Sequence, residues 1–255
     1  LWLAAFLGIM TDKNVLITGA AQRIGRTIAM DLANAGWAVV VHYNSSGAAA
    51  QEVVREISDT GGKAVALQAD LFQEKETSTL ISRATDLIGP LTCLINNASV
   101  FEHDVPATVT QGSWDKHMQI NLRAPFVLSQ AFAEQIPNAT PGAIINIIDQ
   151  RVWNLTPDFT SYTLSKAGLW TLTQTLAMAL APNIRVNAIG PGPTLQSKSQ
   201  SPDEFSQECA ETLLKQRVTT EEIGRTVRFI LDAPSLTGQM IAIDGGQHLG
   251  PVKSN

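Results

Sequence analysis

Tyr162-Thr163-Leu164-Ser165-Lys166 sets a phenol and an ammonium at i and i+4, a spacing that puts both on one helix face. A phenol titrates near ~10 and shuttles protons poorly at neutral pH; a close cation favours the phenolate and lowers that value. Alone, such a pair reads as a surface contact. Its company singles it out. Asn121 follows an amphipathic segment at 114–120, and Asn96-Asn97-Ala98-Ser99 follows a short apolar run. Asp149 stands at the end of a second run, and Pro191-Gly192 follows a third.

A different chemistry is written near the start. Thr18-Gly19-Ala20-Ala21-Gln22-Arg23-Ile24-Gly25 lies between an apolar run and a helical pattern. A glycine turn there lets backbone approach a pyrophosphate, and the helix N-terminus supplies N–H donors. Any strand–helix turn can use a glycine, so position in the first βα unit is what gives the loop weight. The acid that would bind a ribose 2′-hydroxyl belongs about 20 residues further on. That stretch reads Val41-His42-Tyr43-Asn44-Ser45-Ser46, with no acid before Glu52. His42 to Ser46 and Arg23 can therefore receive a 2′-phosphate, which points to NADP rather than NAD.

The elements that must position these residues alternate along the chain. Strands are predicted at Val15–Thr18, Trp37–His42, Ala64–Gln68, Leu91–Ile95, Ala143–Ile148, Arg185–Ile189 and Met240–Ile243. Helices are predicted at Arg26–Ala35, Ala48–Thr60, Glu76–Ile88, 114–136, 161–181 and 220–231. Strands apolar on both faces between helices imply one Rossmann-type, doubly wound parallel α/β sheet covered on both sides. Residues 193–219, rich in Ser, Gln and Glu, read as an irregular polar segment, either a solvated insertion or a lid over the strand ends.

Composition removes other classes. The 255 residues carry a net charge of −5, which argues against a nucleic-acid partner. Cys93 and Cys209 form no CxxC pattern, and the four histidines show no metal-ligand spacing. A reducing, cytoplasmic setting and no metal are expected. The apolar run Leu1–Met10 is short of the roughly 20 residues that span a bilayer. Residues 1–9 read as an upstream extension, with 10–255 as one NADP-binding domain.

The loop at 18–25, Asn96–Ser99, Tyr162 with Lys166, Asn187–Thr194 and Leu236–Gly246 together resemble the short-chain dehydrogenase/reductase family over about residues 13 to 249. The resemblance implies a catalytic set of Asn121, the residue after the fifth strand, Tyr162 and Lys166. Tyr162 would be the general acid. Lys166 would hold the nicotinamide ribose and lower the tyrosine pKa, and Asn121 would help hold a relay water. It implies cofactor contacts from Gly19, Arg23, Ile24, Gly25, Asp70, Leu71, Asn97, Ala98, Pro191, Gly192 and Thr194. A homotetramer using the helix with Leu164, Leu169, Leu172 and Leu176 is also implied.

Two positions depart from the family's common pattern. Arg23 stands where the loop's middle glycine belongs, and Asp149 replaces the serine that polarises a carbonyl. An ionised carboxylate cannot donate to a carbonyl oxygen and repels developing negative charge there. With Phe101 two residues after Ser99, the combination resembles the pteridine reductases and related bacterial dihydromonapterin/dihydrofolate reductases. That implies pterin contacts from Arg23, Ser99, Phe101, Asp149 and Tyr162. Trp153 and Phe159, between Asp149 and Tyr162, either line the pocket or pack the loop. A carbonyl or 3-oxoacyl reductase on the same scaffold is the alternative. A non-catalytic dinucleotide-binding regulator is a lesser one, since Tyr162, Lys166 and Asn121 are all present.

Overall fold

A computed structural model describes residues 13–137, 140–197 and 200–250. The extension at residues 1–9 lies outside them. Seven strands form one sheet: β1 Asn14–Ile17, β2 Ala38–Tyr43, β3 Lys63–Gln68, β4 Cys93–Asn96, β5 Gly142–Ile147, β6 Ile184–Pro191 and β7 Met240–Ile243. Their order is β3-β2-β1-β4-β5-β6-β7, and every neighbouring pair is parallel. The predicted doubly wound sheet is therefore the observed one. From β1 the chain winds outward to β3 on one side, then returns to place β4 on the other. The loops leaving β1 and β4 diverge at that switch point and open a crevice at the strands' carboxyl ends.

Strand alternation divides the core. Val15 and Ile17 of β1 face α1 (Arg23–Asn34), α2 (Gly47–Asp59) and α8 (Thr220–Asp232), which contribute Ile28, Leu32, Val53, Ile57, Val227 and Ile230. Leu16 points the other way, to a layer from α3 (Glu74–Ile88), α5 (Ala124–Gln135) and α6 (Thr160–Leu180) that includes Leu80, Leu128, Phe132 and Leu176. Each fully buried Leu, Ile or Phe contributes roughly 1.5–3 kcal/mol.

One expectation is refined and one corrected. The helical patterns over 114–136 are observed as α4 (Gln111–Met118), a π-helical turn, Gln119–Arg123, and then α5. Pro125 explains the break, because proline has no N–H and its ring clashes with the carbonyl four residues back, at Asn121. The polar 193–219 segment contains a ten-residue helix, α7 (Pro202–Glu211). Ser201 accepts the Glu204 amide, and Glu204 Oε2 returns the bond to the Ser201 amide at 2.7 Å, a capping box that starts α7. Residues 198–199 of that segment lie outside the described residues.

Candidate active site

A cavity of about 840 Å³ opens along the crevice. Its closed end is built around the loop between β1 and α1. Thr18 Oγ1 accepts both the Asn97 and Ala98 amides at 2.9 Å, tying β1 to β4. Asn97 Nδ2 donates to the carbonyls of Thr18 (2.8 Å) and Gly19 (3.1 Å). Gly19 holds φ +63°, and a Cβ on Gly25 would lie 2.3 Å from the Gly19 carbonyl oxygen. Only glycine fits at Gly25. The cradle left above this turn suits a pyrophosphate group on the N-terminus of α1.

Arg23 keeps the left-handed conformation a glycine would adopt there, with φ +55°. Its guanidinium donates to the carbonyls of Leu195 and Gln196, each at 2.9 Å, bridging the loop to the segment after β6. Arg23, Tyr43, Asn44, Ser45 and Ser46 line the cavity wall, and Asn44 Nδ2 donates to Asp70 Oδ1 at 3.4 Å. Ile24, Ala98, Pro191, Gly192 and Thr194 line the wall as expected.

Three expected cofactor contacts stand off that wall. His42 is 2% exposed and lies beneath the loop. Its Nδ1 accepts the Gly19 amide at 3.0 Å, so Nε2 carries the proton and donates to the Ala69 carbonyl at 3.0 Å. Burial pushes the imidazole down to about 4, which keeps this neutral form. His42 thus holds the phosphate-binding turn from below. Leu71 is a core residue, and Asp70 closes the turn after β3, accepting the Phe72 amide at 3.0 Å.

At the open end, α6 brings Tyr162 and Lys166 to the tip of β5. Tyr162 Oη donates to Asp149 Oδ2 at 2.8 Å, and Asp149 Oδ1 accepts the Arg151 amide at 2.8 Å. Lys166 Nζ donates to the Ile147 carbonyl at 2.8 Å. Burial pushes Asp149 up and Lys166 down to about 8. Tyr162 is pushed up, by burial first and then by the Asp149 carboxylate. The expected lowering of the phenol by Lys166 is overturned: Asp149 is the nearer partner, and it favours the protonated phenol. Tyr162 is therefore held as a protonated phenol hydrogen-bonded to the Asp149 carboxylate.

Asn121 is fully buried and absent from the cavity wall. Its Oδ1 accepts the Val100 amide at 2.8 Å, and its Nδ2 donates to the Val100 carbonyl (2.9 Å) and Ser165 Oγ (3.1 Å). Its side chain pins the loop after β4 to α6.

That loop supplies the substrate-side wall. Ser99 and Phe101 line it, with the Phe101 ring edge-on to Tyr162 at 4.7 Å between centroids. Of the two readings for Phe159, lining the pocket is the one observed: it lines the cavity and stacks on Phe101 at 4.3 Å. Arg151 lies over the outer face of Phe159 at 5.0 Å. Trp153 does pack, against Trp170 and His248. Sequence reading missed Glu208 of α7. Its carboxylate oxygens accept the side-chain amides of Gln200 (2.9 Å) and Gln247 (3.2 Å), closing the cavity from the C-terminal side.

Among the described residues, no His/Cys/Asp/Glu group could hold a metal ion, and no helix is long and apolar enough to cross a membrane.

A family model described as enoyl-(acyl carrier protein) reductase matches residues 19–248. The 3-oxoacyl-[acyl-carrier-protein] reductase FabG of Staphylococcus epidermidis is 32% identical over 243 residues, covering 93% of this chain and all of that one. An uncharacterized oxidoreductase of Methylorubrum extorquens is 34% identical over 245 residues, covering 93% and 98%. Among solved structures, FolM alternative dihydrofolate reductase 1 from Brucella suis, in complex with NADP, is 45% identical with a TM-score of 0.91. That match covers 94% of this chain and 96% of that one. The angucycline C-6 ketoreductase LanV with bound NADP is 31% identical with a TM-score of 0.88, covering 95% and 98%.

Proposed function

The chain belongs to the short-chain dehydrogenase/reductase family and is an NADP-dependent oxidoreductase; from that premise we propose that it reduces a dihydropterin- or dihydrofolate-like ring. The observation that carries the reading is the Tyr162–Asp149 hydrogen bond. A carbonyl substrate wants a hydroxyl donor where Asp149 stands, whereas a ring with N–H groups and a nitrogen to be protonated suits a carboxyl–phenol pair. The 45% identity to FolM alternative dihydrofolate reductase 1 of Brucella suis supports the same reading.

In this mechanism the cofactor, when bound, supplies hydride. Gly19, Gly25 and the first turn of α1 hold its pyrophosphate; Arg23 and Asn44–Ser46 hold the 2′-phosphate. Lys166, at the Ile147 carbonyl, takes the nicotinamide ribose. Phe101 stacks on the substrate ring and Ser99 hydrogen-bonds it, with Arg23 reaching both phosphate and substrate. Tyr162 delivers the proton from Oη, and Asp149 restores it. Arg151 and Phe159 exclude water from the outer side.

The second reading, reduction of a 3-oxoacyl or other carbonyl group, is favoured by the FabG relatives. NADPH oxidation against dihydropterins, dihydrofolate, 3-oxoacyl thioesters and small diketones separates the two. Turnover confined to the carbonyl panel would overturn the pterin reading. In the same reading the protein is a cytoplasmic homotetramer. Leu169 and Leu176 of α6 are core, but Leu164 and Met178 stand 46% and 75% exposed and offer a subunit contact. Analytical ultracentrifugation measures that directly.

A further inference from the structure

A second buried polar cluster lies behind the substrate wall, and the mechanism above leaves it unused. His117 and Ser161 are fully buried, and Asp104 is 3% exposed. The Glu102 amide donates to His117 Nε2 at 3.2 Å, so that nitrogen accepts and Nδ1 bears the proton. His117 Nδ1 then donates to Ser161 Oγ at 2.7 Å, and Ser161 Oγ donates in turn to Asp104 Oδ2. Asp104 Oδ1 accepts the Ser161 amide at 3.1 Å, and the Asp104 carbonyl accepts the Thr160 amide at 3.2 Å. Ser113 Oγ of α4 also donates to Asp104 Oδ2, at 3.3 Å.

The His117, Ser161 and Asp104 side chains are each hydrogen-bonded to one another or to nearby backbone. The cluster joins three elements: the loop that carries Ser99 and Phe101, helix α4, and the first turn of α6, where Ser161 immediately precedes Tyr162. Asp104 also places a carboxylate at the N-terminus of α6, where the helix dipole favours a negative charge. Burial opposes that charge, but the Ser161 hydroxyl and amide outweigh it and hold Asp104 below the usual carboxylate range. A buried, hydrogen-bonded network of this kind favours one arrangement of its parts.

We propose that the Asp104–Ser161–His117 chain is a positioning device for the reductase site. It fixes the loop after β4 against the start of α6, and so sets the Phe101–Tyr162 edge that a planar substrate must meet. None of the three side chains lines the cavity; they act through Phe101 and Tyr162. The inference rests on the reading that Phe101 faces the substrate ring.

The test separates the device from that reading. Hydrogen exchange at the Glu102 and Ser161 amides needs no substrate, and both should lose at least tenfold in protection in Ser161→Ala and His117→Phe. With the substrate that the parent reduces best, whether dihydropterin or diketone, these variants should raise KM about tenfold or more. Turnover should change less than threefold, and NADPH affinity should be unchanged. His117→Gln retains an acceptor for the Glu102 amide and should recover KM to within threefold. It also serves as the readable variant where His117→Phe does not fold. Unchanged protection, unchanged KM despite lost protection, or parallel losses in KM, turnover and NADPH affinity would each overturn the proposal. A parent that reduces only diketones would overturn the pterin reading instead, and the exchange and KM measurements would still judge the device.

Discussion

The two ends of the crevice are built by different means. At the closed end, the turn between β1 and α1 presents backbone: glycines with no room for a methyl, held in place by the buried side chains of Thr18, Asn97 and His42. At the open end, position comes from side chains: Asp149 on Tyr162, Phe159 on Phe101, Glu208 between Gln200 and Gln247. A cofactor common to many reductases can be met by backbone that carries no side-chain identity. Choice of substrate has to be written in side chains. A single methyl should therefore do most harm at the first end, and a change of functional group most harm at the second.

The largest effect expected is on chemistry. Tyr162→Phe removes the proton donor and should lower turnover by about 10²–10⁴, with NADPH binding by fluorescence titration unchanged. Next is Gly25→Ala, whose Cβ would lie 2.3 Å from the Gly19 carbonyl oxygen and 2.5 Å from Asn97 Nδ2. Nothing there is the free end of a flexible chain, so the turn must open. NADPH affinity should fall about 100-fold, roughly 3 kcal/mol, while a benign result would break the contrast between the ends.

A pH measurement probes the brace under the turn. His42 titrates near 6.5 when unfolded and is pushed down to about 4 in the fold. Between those values the unfolded chain binds the extra proton, so this stability is complete above about 6.5 and is lost as pH falls through 4. The loss approaches about 3 kcal/mol, read from urea midpoints, and His42→Gln should flatten the slope in that window.

Asp149→Ser sharpens the other end. The ratio of kcat/KM for a dihydropterin over a diketone should fall about 10–100-fold, the size of a charged hydrogen bond of about 1.5–3 kcal/mol. A ratio that holds would make Asp149 structural. The smallest effect is Arg23→Gly. A non-glycine residue at φ +55° carries about 1–2 kcal/mol of strain. The relieved strain offsets the loss of the bonds to Leu195 and Gln196, so thermal stability should change little while the preference for NADPH over NADH shrinks.

The sheet, its helices and most of the cavity wall were legible in the sequence because they follow local patterns. Apolar runs between helical segments imply parallel strands, and the glycine turn sits in the first βα unit. What escaped depends on contacts distant in sequence. His42 meets Gly19 across 23 positions, and Ser161 meets Asp104 across 57; no periodicity carries such information. Helix α7 escaped for another reason: it buries no residue, so no apolar stripe marks it, although Ser201 and Glu204 spell its capping box. The break at Gln119–Arg123 was foreshadowed by Pro125, but an amphipathic pattern spans it unchanged. Phe159 kept two readings because its place depends on a left-handed residue at the start of α6, with φ +59°.

The sealing of Cys93 has a practical consequence. It lies in the middle of the sheet with no exposed surface, and burial pushes its thiol far up. Cys209, the other cysteine in the sequence, is half-buried on α7. Its thiol is raised as well, by burial first and then by Glu208, so alkylation calls for mildly basic buffer. A maleimide fluorophore added to the unmodified protein should then attach at one place. Nature has in effect left one labelling handle on the helix beside Glu208, and its emission reports that helix as ligands are titrated in, without any engineered cysteine.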